Sequence, residues 1–207
     1  MAIDFSFPEE IEFVIQKVRD FMNQVVRPAE KIIEDNDDDR KTLVEQVVVM
    51  RKAAKEWGLW LPHMPEDVGG MGLGHVAMAA VSAEAAKTRF GPYALNAQAP
   101  DEGNMHTLLH WATDEQKEKY LMPLCKGTAR SCFAMTEPEV AGSDPTLVQT
   151  KAVRDGDDWV INGHKWFISG ARGAKFAILI AKTEDNPEIP QAGNSAFLVD
   201  IPSEGWE

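Results

Sequence analysis

Two stretches of this 207-residue chain hold side chains that could do chemistry together. In the first, Phe133-Ala134-Met135-Thr136-Glu137-Pro138 leads into Glu139-Val140-Ala141-Gly142-Ser143-Asp144. Pro138 ends a strand-like run. The small residues beyond it leave backbone N–H groups open beside two hydroxyls, Thr136 and Ser143. Such a loop can approach a flat or phosphorylated ligand closely and donate several hydrogen bonds to it. The second stretch, Asn162-Gly163-His164-Lys165-Trp166-Phe167-Ile168-Ser169-Gly170, sets two aromatics beside a hydroxyl, which could wall a planar ring system. Each stretch also has an ordinary alternative: a loop leading into a β domain, and a pair of aromatics filling a core.

The other patterns that suggest chemistry fail on inspection. Val68-Gly69-Gly70-Met71-Gly72-Leu73-Gly74 is rich in glycine, but the third position of a G-x-G-x-x-G fingerprint falls on His75. Pro62 and Pro65 precede it in place of a buried strand, so a tight connection between helices is the better reading. His106 and His110 have the spacing of a metal pair on a helix, yet Thr107 stands where a zinc protease needs Glu and no third ligand presents itself. No metal is expected. There is no G-x-S-x-G elbow, and Cys125 and Cys132 have no C-x-x-C context, so nucleophilic catalysis has no candidate.

The elements around the two stretches follow from periodicity. Ile11, Val14, Ile15, Val18, Met22 and Val25 predict one helix, with Ser6 and Glu9 spaced as a capping box. Leu43, Val47, Met50, Ala54 and Trp57 predict a second, closed by Gly58. The carboxylate run Glu34–Asp39 between them reads as a solvated loop or helix start. Further helices are expected over His75–Thr88 and Asn104–Trp111, and from Thr113, with Gln116 in capping-box position, to Leu124, closed by Lys126-Gly127. After Gly127 the period falls to 2. Strands are then expected at the Phe133 run, 149–154, 159–161, 165–169, 176–182 and 195–201, with Asp155-Gly156-Asp157 as a turn. The fold class expected is α+β: an N-terminal all-α bundle, residues 1–127, followed by an antiparallel, barrel-like β domain, residues 128–207.

Composition narrows the function. Hydrophobic residues make up 44% and charged residues 26%, the balance of a globular chain. The net charge of −12 repels phosphate backbones and anionic headgroups, so neither nucleic acid nor a membrane surface is an expected partner. Two cysteines and no signal-like N-terminus point to a reducing, cytoplasmic setting.

Taken together, the motifs resemble the acyl-CoA dehydrogenase family. Thr136-Glu137-Pro138 with Ala141-Gly142-Ser143-Asp144 is similar to its flavin-binding signature, and Ile161-Asn162-Gly163-His164-Lys165-Trp166-Phe167-Ile168-Ser169 to its second flavin-wall motif. Pro65 to Leu73 and Glu115 to Leu121 match further family patterns, and Ala99 to Met105 is similar to one branch of the family. The resemblance implies an FAD enzyme that desaturates an acyl-CoA thioester between Cα and Cβ, with hydride passing to flavin N5. It places Phe133, Met135, Thr136, Gly142, Ser143, Trp166, Phe167 and Ser169 around the flavin, and Ser143 also against the substrate. Phe167 stands where many members have Trp, and Ser169 where a Thr is common. Family members carry their catalytic glutamate in a following helical domain, so no catalytic residue is expected before Glu207, and Glu137 is expected to be structural. An electron-transfer flavoprotein as oxidant is implied, with assembly as a homo-oligomer or with a complementary subunit. A flavin oxidase or monooxygenase on this scaffold, and a non-catalytic flavin- or acyl-CoA-binding partner subunit, are the alternatives.

Overall fold

A computed structural model describes residues 6–142, 144–184, 188–189 and 193–207. The chain forms two compact units, Met1–Glu102 and Gly103–Glu207.

The first unit is helical. Helix α1 (Glu9–Phe21) runs through a π-helical turn, Met22–Val26, into α2 (Arg27–Glu34). Ile15, Val18, Phe21, Met22, Val26, Ala29 and Ile33 are buried along it. The π turn inserts a residue relative to the α-helical repeat, which puts Val26 rather than the expected Val25 into the core. The predicted Ser6–Glu9 capping box is not how α1 starts. Pro8 is the N-cap, and its carbonyl takes the N–H groups of Ile11 and Glu12. The acidic run supplies the next start: the Asp39 carboxylate accepts from Thr42 N at 3.0 Å and caps α3 (Arg40–Glu56). Gly58, at φ +65°, ends α3 as expected. Helix α4 (His75–Ala85) docks on α1 through Arg19, whose Nη2 lies 2.7 Å from Oε1 of buried Glu84. A short α5 (Gly91–Ala94) follows.

Helix α6 (Asp101–Trp111) leads into the second unit. Thr113 and Gln116 close the predicted capping box on α7 (Asp114–Gln116), which passes through a π turn (Lys117–Leu121) into α8 (Met122–Lys126). Gly127, at φ +72°, stops it. The strands are β1 (Ser131–Ala134), β2 (Lys151–Asp155), β3 (Asp158–Asn162), β4 (Phe176–Lys182) and β5 (Asn194–Asp200). Strand β4 reads FAILIAK, an apolar run suited to a strand covered on both faces, and it is the hub of the sheet. It pairs in parallel with β1 (Phe133 opposite Ile178) and antiparallel with β5 (Leu179 opposite Phe197), and meets β2 in parallel at Lys151 and Lys182. A hairpin through Gly156 joins β2 to β3.

The α+β class holds, with two differences in the sheet. It is mixed rather than antiparallel, and among the described residues it is open: in the order β1-β4-β2-β3 nothing joins β1 to β3 into a barrel. The core under one face is Cys132, Ala134, Ala152, Ala177, Leu179 and Ala181, packed by Ile161, Ile168 and Trp206. On β4, Phe176 stacks against Tyr120 at 4.7 Å between ring centroids, and Asn104 donates to Ser131 Oγ at 2.9 Å. Residues 165–169, expected as a strand, form none. Their polar groups bond to the turn after β1 instead of to a ladder, as described next.

Candidate functional site

Strand β1 alternates, so Cys132 and Ala134 enter the core while Phe133 leaves the other face, 40% exposed. Past Ala134 the chain turns at Met135-Thr136-Glu137, and there the two motif stretches meet. Trp166 N donates to Thr136 O at 3.1 Å. Lys165 Nζ donates to Met135 O at 2.9 Å and to Glu137 Oε1 at 2.8 Å.

Glu137 is the anchor of this junction. It is 3% exposed. Its Oε1 also accepts from Thr150 N at 2.9 Å and from the Thr150 hydroxyl, while Oε2 accepts from Gln149 N at 2.7 Å. Burial by itself raises the carboxyl pKa. The hydrogen bonds from Lys165, Thr150 and Gln149 outweigh that and bring it down to about 2. Burial pushes the Lys165 ammonium below its ordinary range, opposed by the Glu137 charge.

Two glycines let the backbones close in. A Cβ on Gly163 would stand 2.1 Å from Thr150 Oγ1 and 2.6 Å from Thr150 Cβ, against the side chain that holds Glu137. One on Gly142 would stand 2.5 Å from Thr136 Cγ2. Downstream, Asp144 Oδ1 accepts from Thr146 N at 2.9 Å and from its hydroxyl at 2.7 Å, which fixes the exit of the loop.

The aromatics of the second motif are presented outward. Phe167 is 80% exposed at φ +51°, an uncommon backbone state for a side chain of its size, and Trp166 is 40% exposed. Their rings lie 4.3 Å apart at 32°. Both line a cavity of about 620 Å³ with Lys165, Ile168, Leu179 and Trp206. Ser169 lies exposed in the turn after Ile168. Met135, Thr136, Gly142 and Trp166 are therefore brought together, and Phe167 stacks on Trp166. Phe133 and Ser169 share the exposure without a hydrogen bond to the Thr136 turn. Ser143 lies outside the described residues.

The two halves of the chain match two consecutive family models: residues 8–128 the N-terminal domain, and residues 132–207 the middle domain, of acyl-CoA dehydrogenases. The chain belongs to the acyl-CoA dehydrogenase family.

Among curated family members it is 38% identical to acyl-CoA dehydrogenase family member 11 of Gallus gallus over 203 residues, 93% of this chain and 25% of that one. A solved structure from Mycobacterium abscessus, described as an acyl-CoA dehydrogenase, superposes with a TM-score of 0.87 at 32% identity over 97% of this chain and 52% of that chain. PigA, solved in complex with FAD and also with FAD and proline, superposes with a TM-score of 0.76 at 25% identity over 98% of this chain and 51% of its own. The chain thus spans a quarter of the first relative and about half of each solved one.

The acyl-CoA dehydrogenase junction has a donor set suited to the edge of a flavin. Among the described residues, the N–H groups of Thr136 and Glu137 and the Thr136 hydroxyl make no hydrogen bond, and they stand beside two exposed rings. The charged pair Glu137–Lys165 is tied up internally, which leaves neutral donors and two exposed aromatic planes. That chemistry fits a flat group with carbonyl acceptors along one edge. Sequence reasoning missed Lys165, Thr150 and Gly163 as members of this junction. Nothing in residue type marks them, because their role depends on distances between segments far apart in the chain.

Proposed function

We propose that these residues form the helical and central β portion of an FAD-dependent acyl-CoA dehydrogenase that introduces a double bond between Cα and Cβ of an acyl-CoA thioester. The observation that carries this reading is the junction of the Thr136 turn with the Trp166-Phe167 turn, through Trp166 N to Thr136 O and Lys165 to Met135 O and Glu137. When bound, FAD supplies the two-electron acceptor. Thr136 would offer its hydroxyl and backbone N–H to the flavin edge, Phe133 and Met135 would border the ring, and Trp166 and Phe167 would cover a face. Ser169 would offer its hydroxyl near the reacting end of the ring. Gly142 and Ser143 would pass the phosphates, with Ser143 reaching the thioester arm. Residues 1–127 would serve as the helical domain and 128–207 as the β domain.

Glu137 is not the general base. Four donors occupy its two oxygens, and a carboxyl with a pKa of about 2 accepts a proton poorly near neutrality. We assign the base to the helical domain that follows in the family. An electron-transfer flavoprotein as oxidant, assembly with like or complementary subunits, and a cytoplasmic setting complete the proposal. No helix among the described residues is long and apolar enough to cross a membrane.

The test is to purify the full-length protein and record its visible spectrum, then add saturated acyl-CoA thioesters of short and long chain without oxygen. A yellow protein bleached by one of them is expected; a colourless protein that takes up no FAD sinks the reading. A second reading, a flavin oxidase on the same scaffold, would use the same FAD-binding portion, and the likeness to PigA, solved with FAD, supports FAD binding for either reading. Peroxide release without an added acceptor would select the oxidase.

A further inference from the structure

The junction does more than bring two turns together, because of which atoms its bonds use. Lys165 donates to Met135 O and Trp166 donates to Thr136 O, so two successive carbonyls after β1 are both held by the 165–166 segment. Both peptide bonds are trans. In a trans peptide the N–H points opposite to its own C=O. Holding the carbonyls of Met135 and Thr136 towards the 165–166 segment therefore turns the N–H groups of Thr136 and Glu137 the other way. Neither of those amides has a hydrogen-bond partner among the described residues, and nor does the Thr136 hydroxyl.

From this we infer that Lys165 is a positioning residue. Its buried ammonium orients the 135–137 backbone so that its amides and the Thr136 hydroxyl meet the carbonyl-bearing edge of the flavin. The inference rests on the flavin reading above and assigns Lys165 no contact with the ligand. Two observations set Lys165 apart from a generic ion pair. Glu137 already has three donors from Gln149 and Thr150, so the carboxylate does not need the lysine to be hydrogen-bonded. The Lys165 side chain is 9% exposed, which makes burying an ammonium here costly for a tie that neutral groups could have made. What the ammonium adds is a second bond, to the Met135 carbonyl, that no other described group supplies.

The test uses the full-length protein and FAD itself as probe, with three variants. Lys165→Met strands the buried Glu137 charge and is expected to lower the melting temperature of the apoprotein. Lys165→Met/Glu137→Gln removes both charges and is expected to regain part of that stability, the new amide NH2 facing a donor where the carboxylate accepted one. It should still bind FAD at least tenfold more weakly than the parent, with altered visible circular dichroism of whatever flavin is bound. Lys165→Arg keeps a donor for Met135 O and is expected to restore the flavin spectrum, with affinity within about threefold of the parent. A double variant that binds FAD with the parent's affinity and spectrum overturns the inference and leaves the flavin reading standing. A parent protein that takes up no FAD overturns both.

Discussion

At the scale of single residues, the hydrogen-bonded carboxylate of Glu137 sets an acid limit on stability. Its folded pKa of about 2 lies below the ordinary carboxyl value of 4.5. The unfolded chain therefore takes up the proton first as pH falls. The stabilisation is fully present above about pH 4.5 and is lost between there and pH 2. A shift of that size corresponds to roughly 3 kcal/mol. Urea unfolding at pH 6 and pH 3 should show a larger loss for the parent than for Glu137→Gln, which starts less stable and has less left to lose. Equal losses would mean that the carboxylate is not what the acid attacks. Gly163 is the second such residue. Its φ is not left-handed, so the requirement is space alone: a methyl there meets Thr150 at under 3 Å, and Thr150 cannot yield without releasing Glu137. Gly163→Ala is expected to lower stability by about 1–3 kcal/mol, as overpacking does. Pairing it with Thr150→Ser, which removes one methyl and keeps the hydroxyl, should recover part of the loss in the same melts.

At the scale of elements, helix starts and stops were the most legible features. Thr113 with Gln116, and the left-handed glycines Gly58 and Gly127, act where local spacing places them, because a cap involves only residues within one turn. Thr113→Ala is expected to cost about 1 kcal/mol in thermal or urea unfolding, since the Gln116 N–H loses the Thr113 hydroxyl as its partner. No change would mean that water replaces the cap at no cost. Spacing misled at Ser6–Glu9, where Pro8 already fixes an extended backbone and offers its carbonyl, and α1 starts one residue after it. It misled again at 165–169, where an apolar-rich run resembles a strand. There Lys165 and Trp166 spend their donors on the Met135-Thr136 turn, and Phe167 adopts a positive φ that no strand accepts.

Across the whole molecule, the dominant global property is the net charge of −12. Among the described ion pairs, Glu84, held by Arg19 and Lys87, and Glu137, held by Lys165, are buried carboxylates. The remaining carboxylates, including the run Glu34–Asp39, lie mostly in solvent and repel one another. Raising NaCl from about 20 mM to about 300 mM shortens the Debye length several-fold and is expected to raise the melting temperature by a few degrees. A fall over that range would show that exposed pairs such as Lys119–Asp200 and Arg89–Asp38 matter more than the net repulsion.

The longer helices, the five strands other than 165–169, the α+β class and the family were readable from order and spacing along the chain, because capping, periodicity and motif order are local or linear properties. The mixed, open pairing around β4 was not, since parallel and antiparallel partners can share the same period of 2. Nor was the junction at Glu137, where Lys165, Thr150 and Gly163 gain their meaning from atoms about 13 to 30 residues away brought within hydrogen-bond distance. Distances of that kind are created by packing, and packing is a property of the folded chain.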